Sequence, residues 1–387
     1  MRSKLFVVLV AMVAVAATLC LKLRLAHAGQ ESDASDYKVL EPIRNESLTV
    51  FPVVASKSYP TGEFLTLDEG LRSGEVVVTE YGNVRGLVRR RDAPVIQQGG
   101  AEVNRLVLVN NSKRPLLLLA GEIVAGGKQD RVIGKDRIVR PESDPIDLSV
   151  FCVEPGRWVA TSEQFGTSGA TYGSAAGGTA AGSTKAKAGT LMAQPSVRAK
   201  AMGDKDQVQV WAEVKKEQQA MSTEMAVISP SPMAADRIAS TSSYAVVMEN
   251  KDVKQEVDKL AKPIEQNYQS LIKQLRDRKA VGVVVAVNGR VIWSDIFAST
   301  ELLEKYWPKL VRSYASEAVV THAKNGKATL SDAESFLDDM QGRRETIESE
   351  PGIFRHTEID GSGFKAFALT SLLPKTGFDV HVAKMAE

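Results

Sequence analysis

The sequence predicts an α+β fold: a β-rich N-terminal half, then a C-terminal half in which amphipathic helices pack on a sheet containing an Asn-Gly hairpin. Three observations carry this. From Val39 to Glu154 the chain is a series of short runs rich in β-branched residues, with turn residues between them. Apolar residues at Val253, Val257, Leu260, Ile264, Tyr268, Leu271 and Leu275 recur every three or four positions, which lays one stripe along a helix. Strands and helices do not alternate along the chain, which argues against a doubly wound parallel sheet.

In chain order, the strand signals are Leu48 to Val54, Glu75 to Thr79, Val84 to Val88, Val103 to Val109, Pro115 to Ala120 and Ile146 to Val153. Thr66-Leu67-Asp68-Glu69 reads as a capping box opening a short helix that ends at Gly74. Between Gly166 and Thr190 the chain is mostly Gly, Ala, Ser and Thr, with too little to bury to oppose the entropy of ordering. A flexible insertion is expected there, continuing with more charge to Met202. Asp206 to Gln219 has weak helical character around Val208, Trp211 and Val214. The striped helix reads as core packing, kinked or split by Pro263. Val281 to Val287 and Arg290 to Phe297 flank Asn288-Gly289, which accept the positive φ angles of a two-residue hairpin turn. Ser299 or Thr300 caps a helix through Leu302, Leu303, Tyr306, Leu310 and Tyr314, interrupted by Pro308. Ser331-Asp332-Ala333-Glu334 reads as a second capping box, and Gly363 to Thr370 and Phe378 to Val382 as a final pair of strands. The organisation is then a signal peptide at 1–28, a polar leader at 29–37, a β-rich first half at 38–165, the insertion at 166–202 and an α+β second half at 203–387.

The 387 residues are 43% hydrophobic and 25% charged, a globular balance that excludes fibrous and wholly disordered classes. The first 28 positions hold Arg2, Lys4, Lys22 and Arg24 and no acid, so the rest carries 45 cations against 47 acids. That body lacks the basic footprint of non-specific nucleic-acid binding. Arg2 and Lys4, the apolar run Leu5 to Leu21 and the small-x-small site Ala26-His27-Ala28 read as an export signal. A secreted or periplasmic protein, cleaved near Ala28, is expected, with no membrane contact beyond this segment. The alternative is an uncleaved anchor, since the run reaches the short end of the roughly 17 to 25 residues that span a bilayer. Only Cys152 survives cleavage, so no intrachain disulfide forms in the mature chain.

Two polar clusters carry candidate chemistry. Gly121 to Arg131 packs glycines, Lys128, Gln129, Asp130 and Arg131 into what reads as one turn, able to offer N–H groups and cations to a phosphate or carboxylate. It is not a P-loop: Gly127 intervenes before Lys128, and Gln129 stands where the magnesium-binding hydroxyl belongs. The second cluster, Phe151 to Trp158, ends a strand with Glu154, Arg157 and Trp158, an anion contact beside a stacking face. Cys152 has no local base and reads as an inert buried thiol, the mature histidines being His322, His356 and His381. No CxxC, HExxH or GxSxG motif is present, so neither a metal nor a cofactor is implied. Arg89-Arg90-Arg91 reads as a solvated strand end and Asn45-Glu46-Ser47 as a glycosylation sequon.

These clusters, in this order, resemble the family called the ARG and rhodanese-phosphatase-superfamily-associated protein domain. The resemblance rests on LTLDEGLRSGEVVVTE at 65–80, LVLVNNSKRPLLLLAGEIVAGGKQDRVI at 106–133, FCVEPGRW at 151–158 and AVGVVVAVNGRVIWSDIFASTELLEKYWPKLVRSYASEAV at 280–319. It covers about residue 40 to the C-terminus. The family's name records association with ADP-ribosylglycohydrolase and phosphatase-type domains, and it implies no catalytic residues.

Three functions are compatible with these residues. The first is a binding module in which Lys128, Gln129, Arg131, Arg157 and Trp158 line a cleft for a small anionic, phosphorylated or nucleotide-like ligand. The second is a hydrolase or transferase with Glu122, Asp130 or Glu154 as general base at the same place. The third is structural: Glu122, Arg131, Glu154 and Arg157 form a buried polar network.

Overall fold

The computed structural model describes residues 37–81, 102–156, 165–166, 191–229, 231, 233–275, 279–321 and 326–387. Helix takes 37% and strand 36%, so the fold is α+β. The export signal, the strand expected at Val84 to Val88, Arg89 to Arg91, Arg157, Trp158, His322 and most of the Gly, Ala and Ser tract lie outside the described residues.

β1 (Tyr37–Val39), β2 (Ile43–Asn45) and β3 (Leu48–Ala55) open the described chain. They join the C-terminal sheet rather than the β-rich half that follows them. β3 pairs antiparallel with residues 279–287, Leu48 opposite Val287 and Val54 opposite Ala280, while β1 and β2 pair with β3. The boundary drawn between 38–165 and 203–387 therefore cuts through one sheet. β3 is buried along its whole length because helices cover both faces there, so it shows no alternation of apolar and polar positions.

β4 (Leu65–Thr66), α1 (Leu67–Ser73) and β5 (Val76–Glu80) follow. The Thr66 capping box forms: Thr66 Oγ1 accepts the Glu69 N–H at 3.2 Å and Glu69 Oε2 accepts the Thr66 N–H at 2.9 Å. β6 (Arg105–Asn110), β7 (Leu116–Leu118), β8 (Glu122–Gly126), β9 (Arg131–Ile133), β10 (Arg137–Val139), β11 (Ile146–Cys152), β12 (Phe165–Gly166) and β13 (Leu191–Met192) complete this half. They build a sheet in the order β12-β8-β9-β11-β6-β5, with β13 also on β8, and a small sheet β10-β7-β4. Residues 121–131, expected as one turn, are a hairpin in which Ile123 stands opposite Val132. Polar Glu122 and Arg131 inside its strands hide the β pattern.

The expected insertion ends before residue 202. β13, α2 (Pro195–Ala199) and a π-helical turn at Lys200–Asp204 bury Met192, Val197, Ala201 and Met202. α3 (Gln207–Ile228) runs on past Gln219, and α4 (Ala234–Ser240) and α5 (Tyr244–Glu249) lead to α6 (Lys251–Gln274), the striped helix. Pro263 does not split α6. Proline has no N–H to give the Lys259 carbonyl, and Asn45 Nδ2 donates to it instead at 2.8 Å. The amide of the sequon thus ties the N-terminal ribbon to α6.

β14 (Lys279–Val287) and β15 (Arg290–Phe297) form the Asn-Gly hairpin, with Asn288 at φ 50° and Gly289 at φ 82°. α7 (Thr300–Val320) is capped by Ser299 and continues through Pro308. α8 (Leu330–Asp338) begins earlier than expected, because its capping box is Thr329 with Asp332 and not Ser331 with Glu334. Thr329 is the residue with extended backbone, so its hydroxyl is free to turn back onto the Asp332 N–H at 3.1 Å. β16 (Gly342–Glu350), β17 (Phe354–Gly361), β18 (Phe364–Ser371) and β19 (Asp379–Ala386) finish a sheet in the order β1-β3-β14-β15-β19-β18-β17-β16. β16 and β17 have no counterpart in the sequence reading. β16 is a largely exposed edge strand whose charges discourage pairing with another chain, so it has no apolar face to reveal. α6 and α7 cover the sheet face carrying Val283 and Val285, and α8 the face carrying Val284 and Ala286.

One buried cluster joins these parts. Asp295 of β15 accepts two Arg198 N–H groups from α2, each at 2.9 Å, and the Tyr314 hydroxyl from α7. His381 of β19 sets Nε2 3.1 Å from Asp295 and Nδ1 2.6 Å from Asp136, whose other oxygen accepts the Ala120 N–H at 2.7 Å. Asp136, Arg198, Asp295 and His381 are 0% exposed. Burial opposes each charge, but at His381 Asp136 and Asp295 outweigh it and hold the imidazole up at about 9. At Asp295 Arg198 and His381 outweigh it, keeping the carboxyl well below the usual range.

Asp295→Asn leaves Arg198 and His381 buried without the charge they share, and is expected to lower the unfolding free energy by about 3–5 kcal/mol in a urea titration. His381 supplies a pH signature. Its folded pKa of about 9 exceeds the ordinary value of about 6.5, so its stabilisation is full below about pH 6.5 and is lost as pH rises through about 9. The melting temperature should fall across that window and fall less in His381→Asn; equal slopes would refute the assignment.

Candidate functional site: a charged cavity between three helices

The two polar signatures meet by closing on each other. The Val153 N–H donates to the Asp130 carbonyl at 3.0 Å, the Asp130 N–H to Glu154 Oε2 at 3.1 Å, and Gln129 Nε2 to the Glu154 carbonyl at 3.0 Å. Asp130 also accepts from the Gly126 N–H and the Ser243 hydroxyl, and Arg131 Nε donates to the Val103 carbonyl at 2.7 Å. Gln129, Asp130, Arg131 and Glu154 are all buried, at most 5% exposed. Lys128 is half-buried, with its backbone N–H on Glu80 Oε1 at 2.5 Å. Burial pushes the Cys152 thiol up, away from thiolate chemistry. The described part of the expected cleft is a packed polar joint.

Two glycines of the first signature serve that packing. Gly121 has φ 96°, and a Cβ there would lie 2.6 Å from Arg198 Cγ; at Gly127, φ 51°, it would lie 2.3 Å from the Phe165 ring. The first gives passage to the central buried arginine. The second lets Phe165 lie against the turn.

Glu122 leads elsewhere. Fully buried, it accepts the Leu119 N–H at 2.8 Å and the Lys309 ammonium at 2.5 Å, and Lys309 also reaches Asp68 at 2.9 Å. Lys309 and Asp68 line an open cavity of about 480 Å³ between α1, α6 and α7. The Thr66 cap fixes where α1 starts and so sets Asp68 and Glu69 in its first turn. From α7, Lys305, Lys309, Arg312 and Ser316 recur at helical spacing and form one row along the cavity. Arg72 of α1 and Lys254 of α6 add two more cations, while Leu191, Met192, Met248 and Val257 give an apolar strip.

Carboxylates hold these cations in place: Lys305 with Glu69 at 3.3 Å, Arg312 with Asp258 and Lys254 with Glu249. Among the lining residues, Arg72, Lys254, Lys305, Lys309 and Arg312 face only Asp68, Glu249 and Asp258. Burial pushes the Glu122 carboxyl up against the pull of Lys309. At Lys309 burial works downward, but Glu122 and Asp68 outweigh it and keep the ammonium charged. Arg312, whose side chain is 41% exposed, is within reach of a ligand from solvent. Among the described residues, no group of three or more His, Cys, Asp or Glu side chains is placed to hold a metal ion, and no helix is long and apolar enough to cross a membrane.

Of the expected site residues among those described, only Glu122 connects to this cavity, through Lys309. The sequence predicts α7 from its apolar positions; the cations at 305, 309 and 312 share one helical face, a spacing visible in the sequence that a solvated surface fits equally well.

Interleaved halves, a buried charged centre and a cation-lined cavity between helices define an α+β protein of one continuous architecture. Its family is shown by the sequence: the profile of the ARG and Rhodanese-Phosphatase-superfamily-associated Protein domain matches residues 36–384, and the chain belongs to that family. No curated protein and no solved structure matches it.

If the first signature is a packing device, Gly121→Ala should lower the unfolding free energy by at least about 2 kcal/mol, from overpacking against Arg198 and strain at positive φ. Calorimetric unfolding measures it, and a change below about 0.5 kcal/mol would remove the packing role.

Proposed function

We propose that this chain is an exported binding module for a small anionic ligand, phosphorylated or nucleotide-like, and that the ligand seats in the cavity between α1, α6 and α7. The observation that carries this is the row Lys305, Lys309 and Arg312, faced by Arg72 and Lys254 around an open volume of about 480 Å³. A phosphate gains charge-assisted hydrogen bonds from side chains already positioned by their carboxylate partners. The cleft expected at Lys128, Gln129, Arg131, Arg157 and Trp158 has less in its favour, because Gln129 and Arg131 are committed to backbone carbonyls. Export rests on residues 1–28; its check is the N-terminus of the protein recovered outside the cytoplasm, which should be Gly29, whereas retention of Met1 to Ala28 in a membrane fraction favours the anchor.

Titration calorimetry with inorganic phosphate and pyrophosphate tests the site. Arg312→Ala and Lys305→Ala are each expected to weaken binding about tenfold, the effect of removing one charge-assisted contact of about 1.4 kcal/mol. Unchanged affinity in two normally folded variants sinks the proposal.

A hydrolase or transferase has one observation in its favour: a carboxyl pushed up by burial, Glu122, in contact with the Lys309 ammonium beside the cavity. Turnover of p-nitrophenyl phosphate that disappears in Glu122→Gln while phosphate still binds would establish it. Absence of turnover leaves binding alone.

A further inference from the structure

We propose that the ligand of this cavity is an amphiphile, whose anionic head sits among Lys305, Lys309 and Arg312 and whose alkyl chain lies in the adjoining groove between α6 and α7. This rests on the anion reading above and adds the chemistry of the rest of the ligand.

α6 and α7 run antiparallel. Arg312 pairs with Asp258, whereas Trp307 stacks on Tyr268 with ring centroids 4.4 Å apart, so descending α7 means ascending α6. Along that direction the character of the groove changes. Its first part is the charged cavity; its second is a volume of about 250 Å³ whose walls include Tyr268, Ile272, Leu303 and Trp307, with Gln269, Lys273 and Glu304 also bordering it. Pro308 lines both volumes. Its short ring carries no polar side-chain group, so the residue shared by the two compartments is apolar where a lysine or glutamate would interpose charge.

A second observation lies on the apolar side. The Trp307 indole Nε1 is buried and has no hydrogen-bond partner among the described residues. A buried donor left unpaired is unfavourable, and the ester or amide oxygen that joins a head group to an alkyl chain is an acceptor of the kind it lacks. Charge at one end of a groove, aromatic and aliphatic walls at the other and an unpaired indole N–H on the apolar side match a chain-bearing phosphate or carboxylate better than a compact anion.

Titration calorimetry on the full mature chain with inorganic phosphate and n-butyl, n-hexyl, n-octyl and n-decyl phosphate tests this, with n-octanol as the uncharged control. Affinity is expected to rise about threefold to fourfold per added methylene until the groove is filled. Octanol should bind far more weakly than octyl phosphate. Ile272→Asp, at the half-buried wall of the groove, should flatten the chain-length series while leaving inorganic phosphate unaffected. A flat series in the wild type, or octanol matching octyl phosphate, overturns the amphiphile and leaves the anion site standing. Failure of every phosphate to bind overturns both. The wild-type series needs no substitution, so an unfolded Ile272→Asp would not rescue the idea.

Discussion

The fold depends on the burial of Asp295. A carboxylate at the centre of a sheet is tolerable only when its charge is matched at close range, and its partners come from segments far apart in the chain: Arg198, Tyr314 and His381 directly, and Asp136 through His381. Arg198, His381 or Asp136 arriving alone would be a desolvated charge without compensation, and the Tyr314 hydroxyl a buried donor without its acceptor. The cluster therefore favours only the arrangement in which β15, β19, α2, α7 and the loop after β9 are all in place. The same logic accounts for the interleaving of the halves, since β3 closes the C-terminal sheet while Asp136, from the β-rich half, completes the charge balance inside it.

The signature that runs from Gly121 to Arg131 belongs to this constraint. Gly121 is bare because Arg198 crosses it, and Glu122 anchors Lys309. Asp130 and Glu154 bind the hairpin to the turn after β11. A run of charged and glycine residues in a sequence is commonly taken for a ligand loop, but the alternative is a set of polar groups that satisfy one another in the interior. For Gln129, Asp130, Arg131 and Glu154 the second reading has the observations behind it: all four are buried, and they bond to one another and to backbone groups.

The helix stripe of α6, the Asn-Gly hairpin and the Thr66 capping box were legible because each is a local rule with one geometric outcome. Boundaries failed where two residues satisfied the same rule, as with Thr329 and Ser331. Strands failed where the pattern was polar for reasons outside the strand: β8 and β9 carry Glu122 and Arg131 as internal partners, and β16 is an exposed edge. The ribbon β1 to β3 was legible as strands but not as to its sheet, because pairing across more than two hundred positions leaves no local trace. The site was the least legible part. Its cations sit on a helix whose apolar positions explain its folding completely, so nothing in local structure required Lys305, Lys309 or Arg312 to be read as anything but solvated charge.

If the cavity seats an anion as proposed, the pairing of its cations decides which kind it favours. Arg312 and Lys305 are each engaged by a carboxylate, so an incoming anion gains only the difference between its own contact and the one it displaces. A monovalent ion merely replaces one weak, partly exposed pair with another and gains almost nothing. Lys309 is different: buried between Glu122 and Asp68, it cannot swing out to meet a ligand, and serves as a fixed charge at the wall. Discrimination must then come from a ligand able to engage several cations at once or to add contacts beyond them. On the proposed reading, the ion pairs that line the cavity would act as a threshold against simple salt ions and favour a ligand that brings either multiple charge or apolar surface.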